Sequence, residues 1–428
     1  MDSKLDKSNT ASQCAQPVPV RTDLFQQGSF ASPSDRSVAK RRLRKHFVLN
    51  VIREHGPISR AEIAKISGLN LPSVSSLVDE LISDQLAVEE EARAAVRGRR
   101  PIPVRLCSNA ASIVGIDIGK STTTAMVSNL SAETLARAEQ STPELLTPES
   151  YAAWAIRVVE ATLALVQDCP PLCGIGVALP GLIHSPAAVS GAISHEPEMH
   201  GGGIETSVMT ALQQKFGVEV LVENDARLMV PGNRWFGEMA NLQNFAVLNI
   251  GIGLGLGISL NGRLLSGAQG FAGEIGHIPL GRPDVACSCG SFGCLENTAS
   301  GGAISAMARE RGLATDKVDE LAELARAGNQ AAAEIFKTFG EALGRGVATI
   351  INLFNPEAIL LTGRVSRASD VFWETMSETV ARHTLPAALE NVQLVVEPPE
   401  KNFSLLGAVA AVLHGIFYSS KVSFEEVI

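Results

Sequence analysis

The sequence predicts an α/β protein in two parts: a small helical head ending in a slim two-stranded wing, and a larger body of two lobes in which strands alternate with helices. Three observations predict it. The first is charge. Residues 1–108 carry 17 Lys+Arg against 12 Asp+Glu, net +5, whereas the remainder carries 19 against 33, net −14. The second is a change of pattern near Ile113, from helically spaced apolar residues to short apolar runs that end on Gly, Asp or Asn. The third is size: 428 residues with 45% hydrophobic and 19% charged content suffice for two or three domains with sizeable cores.

Residues 1–36 are rich in Ser, Gln, Pro and Asp without periodicity and read as a disordered tail. A basic helix is expected from Ser37, with Phe47, Val48, Val51 and Ile52 as its apolar stripe and His55-Gly56-Pro57 as its end. Ser59-Arg60-Ala61-Glu62 is a capping box that opens a short helix, and Gly68 breaks it. A third helix begins near Asn70 and Pro72, with Val74, Leu77, Val78, Leu81 and Ile82 on one face. Helix, Gly turn, helix is the helix-turn-helix pattern, and the basic excess around it suits a polyanion such as double-stranded DNA. Ser73 and Ser76 fall off the apolar face, where they could approach base edges, and Arg60 belongs to the same basic stretch. The chain to Arg105 then forms a wing with Arg97, Arg99 and Arg100 at a Gly/Pro tip suited to phosphates or a minor groove. Residues 37–108 are therefore expected to be a winged helix-turn-helix domain.

In the body, Ile113 to Gly119, Gly174 to Gly181 and Val220 to Asp225 read as strands, the last delivering Asn224 and Asp225 at its end. Val247 to Leu260 is a glycine-rich double strand, and Val318–Ala327 and Ala331–Ile351 are helical with core as their default role. Between His277 and Cys294 one histidine and three cysteines follow the order H-x9-C-x-C-x4-C: His277, Cys287, Cys289 and Cys294. Imidazole plus three thiolates is the closed tetrahedral set of a structural zinc. The other cysteines, Cys14, Cys107, Cys169 and Cys173, show no disulfide framework, and no stretch approaches a membrane span or an apolar leader, so a cytoplasmic location is expected.

These residues carry a resemblance. Ala272 to His277 (A-G-E-I-G-H), Cys287 to Glu296 (C-x-C-G-x-x-G-C-L-E) and Glu223-Asn224-Asp225 resemble the ROK family of repressors and sugar kinases over about residues 37–418. The head matches its repressor branch. The resemblance implies an actin-like (RNase H-like) fold over residues 109–428, one lobe of about 109–232 plus the C-terminal helix and another of about 233–400. It implies zinc at His277, Cys287, Cys289 and Cys294, and a sugar or sugar phosphate held by Asn224, Asp225, Glu274, His277 and Glu296. Two Glu and one Asp without a matching Lys or Arg suit the hydroxyls of a neutral polyol.

In the family's kinases the residue at Asp225 takes the proton from the sugar hydroxyl. The nucleotide side departs from that pattern in three places. Asp117 is followed by Ile118-Gly119-Lys120-Ser121-Thr122 in place of D-x-G-G-T-K, Gly251-Ile252-Gly253 replaces G-T-G, and Thr362-Gly363-Arg364 replaces G-G-G. The expected function is thus a sugar-responsive transcriptional regulator that is no enzyme, acting as a homodimer or homotetramer on paired operator half-sites. The alternative is an ATP-dependent sugar kinase with a DNA-binding head.

Overall fold

A computed structural model describes residues 33–90, 102–145, 147–181, 183, 203–397 and 400–418. The tail expected over 1–36 falls outside them up to residue 32, and the wing tip with Arg97, Arg99 and Arg100 also lies outside the described residues.

The head comprises α1 (Pro33–His55), β1 (Ile58–Ser59), α2 (Arg60–Ser67), α3 (Leu71–Ser83), β2 (Ala87–Glu89) and β3 (Pro103–Leu106). α1 starts four residues before the expected Ser37. The capping box closes as expected: the Glu62 amide donates to Ser59 Oγ (3.3 Å) and the Ser59 amide to Glu62 Oε2 (3.0 Å). Gly68 ends α2 with φ 67°, and Asn70 caps α3 by accepting from the Ser73 amide (2.9 Å). β3 pairs antiparallel with both β1 and β2, so the wing closes beside the helices.

The first lobe contains β4 (Ser112–Ile118), β5 (Thr122–Asn129), β6 (Thr134–Ser141), α4 (Pro148–Leu163), β7 (Leu172–Leu179), α5 (Ile204–Phe216) and β8 (Glu219–Asn224). α6 (Asp225–Phe236) leads to the second lobe: β9 (Phe245–Ile250), β10 (Leu254–Leu260), β11 (Arg263–Leu264), α7 (Gly301–Glu310), α8 (Val318–Arg326), α9 (Gln330–Phe354), β12 (Ala358–Thr362), α10 (Ser369–His383), α11 (Pro386–Leu389) and β13 (Gln393–Val396). α12 (Phe403–Phe417) returns to the first lobe. The sheets run β6-β5-β4-β7-β8 and β11-β10-β9-β12-β13. In each, the first three strands are antiparallel and the last two are parallel to the first, so one topology occurs twice, as the actin-like expectation requires.

Strand alternation decides what each face meets. Val114, Ile116 and Ile118 of β4 pack with Trp154 and Val158 of α4 and Val208 and Leu212 of α5. Ile113 points the other way, into a cluster with Leu405, Val409 and Leu413 of α12. In the second sheet, Ala246, Leu248 and Ile250 face α7 to α10, whereas Phe245 and Val247 face Met229 and Val230 of α6. α6 and α12 therefore lie between the two sheets. They approach backbone to backbone: a Cβ on Gly407 would lie 1.8 Å from the Leu228 carbonyl oxygen, and one on Gly232 2.3 Å from that of Phe403. The expected lobe boundary after residue 232 falls inside α6, because this one helix serves both lobes.

The head shares the core of the first lobe. His46, Leu49 and Asn50, outside the expected stripe, are buried because α1 has a second face against α12. His46 Nδ1–H donates to the Ile416 carbonyl (2.7 Å), Asn50 Nδ2 donates to the Tyr418 hydroxyl (3.0 Å), and that hydroxyl donates to Glu54 (3.0 Å). The Arg53 guanidinium lies 4.5 Å from the Trp235 ring centre of α6 and 5.2 Å from that of Phe417.

Candidate carboxylate pocket and metal centre

β8 ends on Asn224, and Asp225 begins α6. Asn224 Oδ1 accepts from the Arg227 amide (3.1 Å) and its Nδ2 donates to the Gly181 carbonyl (2.9 Å). Its oxygen is thus a helix cap, which is a positioning task in addition to the ligand contact expected of it. Asp225 is half-buried; one oxygen accepts from the Ala226 amide (2.8 Å), and Asn249 of β9 stands 3.5 Å from the other. Burial raises its pKa to about 6 against the helix amides and the Lys120 charge. Across from it, Asp117 at the end of β4 accepts from Asn402 Nδ2 (2.9 Å). Burial and then the Asp225 charge raise Asp117 to about 7.

The second side comes from the segment after β11. Glu274 is pushed up by burial and by the charges of Glu296 and Asp225, and drawn down by His277 and Arg227. Glu274 Oε2 lies 4.0 Å from His277 Nε2. Glu296 Oε2 accepts from the Leu254 amide (2.8 Å), tying this segment to the first residue of β10. Asp225, Glu274, His277 and Glu296 thus share one electrostatic neighbourhood.

Sequence reasoning missed Arg227, and the expectation of carboxylates without a matching cation is corrected by it. Its fully buried guanidinium donates to Ser266 Oγ (2.9 Å) and the Gly270 carbonyl and pairs with Glu223 (3.2 Å). It thereby pins the loop that leads to Glu274 against α6. The signal was present as the four-residue spacing of Glu223 and Arg227. Asn249, Asn402 and Asp117 were also missed as pocket residues; only the fold brings β4, β9 and α12 to one point.

The ligand atoms of His277, Cys287, Cys289 and Cys294 all lie within 4.8 Å of one another. His277 Nδ1 is 3.7 Å from Cys287 Sγ, and Cys289 Sγ is 3.6 Å from Cys294 Sγ. A tetrahedron with metal–sulfur bonds of about 2.3 Å has edges of roughly 3.8 Å, so the donor set fits zinc. The histidine presents Nδ1 to the cysteines and Nε2 to Glu274, and so joins the cluster to the pocket. Cys107, Cys169 and Cys173 are in no disulfide among the described residues, and Cys14 lies outside them.

At the nucleotide turns, Ile252 projects 57% exposed between β9 and β10. The first amides of α7 are engaged internally: Gly301 donates to the Gly251 carbonyl (2.8 Å), Gly302 to that of Ile252 (2.9 Å) and Ala303 to Ser300 Oγ (3.1 Å). A helix N-terminus satisfied in this way offers little to a phosphate. Arg364 is exposed beyond β12.

In the head, Ser76 is exposed and Ser73 half-buried. Arg60, expected at the DNA, pairs with Asp79 (2.8 Å) and Glu89 (2.8 Å) and donates to the Ser75 carbonyl (3.2 Å), clamping α2 to α3 and β2. Arg41 pairs with Glu80 and Lys45 with Asp84 in the same way. Much of the head's positive charge is therefore answered locally, which net charge alone conceals.

Asp117 supports a prediction. A carboxyl whose folded pKa is raised stabilises the fold while protonated, and that contribution is lost as pH climbs from the ordinary carboxyl range through about 7. Asp117→Asn should flatten the decline of Tm between pH 5 and 8. At pH 8 it should gain on the order of 2 kcal/mol, several degrees. Thermal melts across that range check it; an unchanged slope would show that Asp117 ionises without cost.

No helix among the described residues is long and apolar enough to cross a membrane. The sequence pattern of the ROK family matches residues 113–414, and that of a winged helix-turn-helix DNA-binding domain matches residues 47–86. The chain is 30% identical to the xylose repressor of Caldicellulosiruptor bescii, over 90% of this chain and 98% of that protein. It is 29% identical to the DNA-binding transcriptional dual regulator NagC of Escherichia coli, over 86% of this chain and 93% of that protein. Among solved structures it resembles a ROK family transcriptional regulator described as a homologue of the E. coli MLC protein. There the TM-score is 0.75 at 25% identity, covering 89% of this chain and 98% of that one.

Proposed function

This chain belongs to the ROK family, and from that premise we propose that it is a sugar-responsive transcriptional repressor whose effector, a sugar or sugar phosphate, binds between the lobes and changes how its DNA-binding head is held. The observation that carries the reading is the path of α6. Its first residue is Asp225 in the carboxylate pocket, and its last turn holds Trp235, under Arg53 of the head. At 1.5 Å per residue those 12 residues, with Pro231 among them, span about 18 Å, so one helix touches both sites.

Carboxylates accept hydrogen bonds from sugar hydroxyls, and with Nδ1 turned to the metal, His277 Nε2–H adds a donor. Asp225, Glu274, His277 and Glu296 are the proposed ligands, with Asn224 and Arg227 fixing the backbone beneath them. Zinc held by His277, Cys287, Cys289 and Cys294 would supply fixed geometry to the loop carrying Glu296. The proton-accepting position Asp225 is kept, but Ile252 and the engaged α7 amides favour a sensor over a kinase. DNA contact is assigned to Ser73, Ser76 and the wing arginines Arg97, Arg99 and Arg100, and a homodimer or homotetramer would present two heads to paired half-sites.

The test uses the full-length protein. A duplex selected from a random pool serves as operator, and a panel of free and phosphorylated pentoses, hexoses and N-acetylhexosamines is screened by thermal shift. One sugar should raise Tm and shift operator affinity 5- to 150-fold, the usual range of allosteric coupling. Arg53→Ala should retain both binding events while the shift falls below about 3-fold. A sugar that binds without altering wild-type DNA affinity would refute the sensor reading. Sugar-dependent ADP release abolished by Asp225→Asn would restore the kinase.

A further inference from the structure

α3 (Leu71–Ser83, L-P-S-V-S-S-L-V-D-E-L-I-S) contains no Lys, Arg, Asn, Gln or His. The side chains that make bidentate hydrogen bonds to guanine or adenine in a major groove are therefore missing from the helix that would enter it. Its inner face, Val74, Leu77, Val78 and Leu81, is buried. The polar groups of its outer face are engaged: Ser76 Oγ accepts from Arg41 (2.9 Å), Asp79 pairs with Arg60 (2.8 Å), and Glu80 pairs with Arg41. Asn70, just before the helix, uses its oxygen as the cap.

Beside the half-buried Ser73 hydroxyl, what remains at the N-terminal turn is apolar. Leu71 is 49% exposed and Pro72 is exposed, and across the turn Ile66 at the end of α2 is 47% exposed. In helix-turn-helix readers the N-terminal residues of the second helix meet the base edges. The apolar group on the major-groove floor is the thymine C5 methyl.

We infer that Leu71 and Pro72, flanked by Ile66, read thymine methyl groups, so that the head selects its half-site by apolar contact to thymine in place of bidentate hydrogen bonding. The inference rests on the DNA-binding reading above, and its occupant is duplex DNA. Methyl contacts discriminate modestly, each burying about one methylene equivalent, or 3- to 5-fold in affinity. Such a head would gain selectivity from several thymines across paired half-sites.

The experiment selects duplexes from a random pool with the full-length protein, then replaces each thymine of the enriched half-site by deoxyuridine, which removes only the methyl. Wild type should lose 3- to 5-fold in affinity at one or more thymines. Leu71→Ala and Pro72→Ala, checked for native folding by circular dichroism, should bind the thymine duplex more weakly and lose the deoxyuridine penalty. Indifference of wild type to deoxyuridine throughout the site overturns the inference, as does a penalty undiminished in both variants. Variants that change subunit association while keeping the penalty overturn it too, by making this patch a protein contact. A pool that yields no enriched sequence refutes the DNA-binding reading itself.

Discussion

On the reading proposed above, Cys289→Ser should abolish zinc binding and lower sugar affinity by two orders of magnitude or more, while the head still binds DNA. Outside the cluster, the loop from His277 to Cys294 is tied to the body at a few points, such as Arg282 to Glu310 (2.9 Å), Arg345 to the Leu280 carbonyl (3.2 Å) and Asn297 to the Ala286 carbonyl (2.9 Å). Its internal order rests on a few backbone bonds, such as Gly281 to Gly293 (2.9 Å), Gly293 to Val285 (2.9 Å) and Cys287 to Ser291 (2.8 Å). Structural zinc sites contribute about 10 kcal/mol or more to the folding of the segments they organise. Loss of that term releases His277 and, two residues beyond Cys294, Glu296. Both Nε2 of His277 beside Glu274 and the Glu296–Leu254 bond then lose their fixed positions. Cys289 is the ligand of choice because it is only half-buried, so serine itself disturbs little packing. Metal analysis, calorimetric sugar titration and operator binding should separate as zinc-free, sugar-insensitive and DNA-competent. A zinc-free variant with wild-type sugar affinity would show that the loop folds without the ion.

Among the described glycines, Gly407→Ala should be the most damaging added methyl, at about 3 kcal/mol or more of stability. The added carbon would meet the Leu228 carbonyl oxygen at 1.8 Å and its carbon at 2.5 Å. Both are backbone atoms of α6, which is fixed on its other side by β9 and β10. Neither helix can retreat, because Gly176 already brings β7 against α12, where a Cβ would lie 2.0 Å from the Ala408 carbonyl oxygen. The matched control is Gly415→Ala in the same helix, where nothing lies within 4 Å of the new carbon. That substitution should be neutral or stabilising by up to about 1 kcal/mol, since alanine favours helix. Thermal or urea denaturation of the pair decides it. Equal stabilities would mean that α6 and α12 are free to slide.

The head shows what one sequence can and cannot disclose. The Ser59–Glu62 box, the Gly68 stop and the Val74–Leu81 face are local, and they were legible because capping and periodicity act within a few residues. The second face of α1 was not legible. His46 and Asn50 look like solvent residues until α12, more than 360 positions later, supplies Ile416 and Tyr418. Arg60 illustrates the same limit for charge: its partners Asp79 and Glu89 cancel it only after folding. In the body, the clustering of His277, Cys287, Cys289 and Cys294 was readable from spacing because one loop carries all four. The pocket was half readable. Asp225 and Glu274 stood at turns, whereas Asp117 and Asn402 are 285 residues apart and meet only when α12 closes on β4. The Arg227 side chain was overlooked for a different reason: its one mark in the sequence is the four-residue spacing from Glu223, which does not disclose that the pair is buried.

The position of α12 in the chain has a consequence for the order of events during synthesis. The first lobe's sheet is finished when β8 is complete at Asn224, but the helix that covers one of its faces spans residues 403–417. On the ribosome that apolar face, with Ile113 and Met126, must wait for almost the whole second lobe to emerge. The head waits too, because α1 completes its burial on α12. The N-terminal module therefore leaves the ribosome before its mount exists, and reaches its docked orientation only once translation has reached the last helix. A truncated chain ending before Phe403 would carry a free-swinging head on an uncovered sheet. Such fragments should be prone to aggregate through that uncovered face.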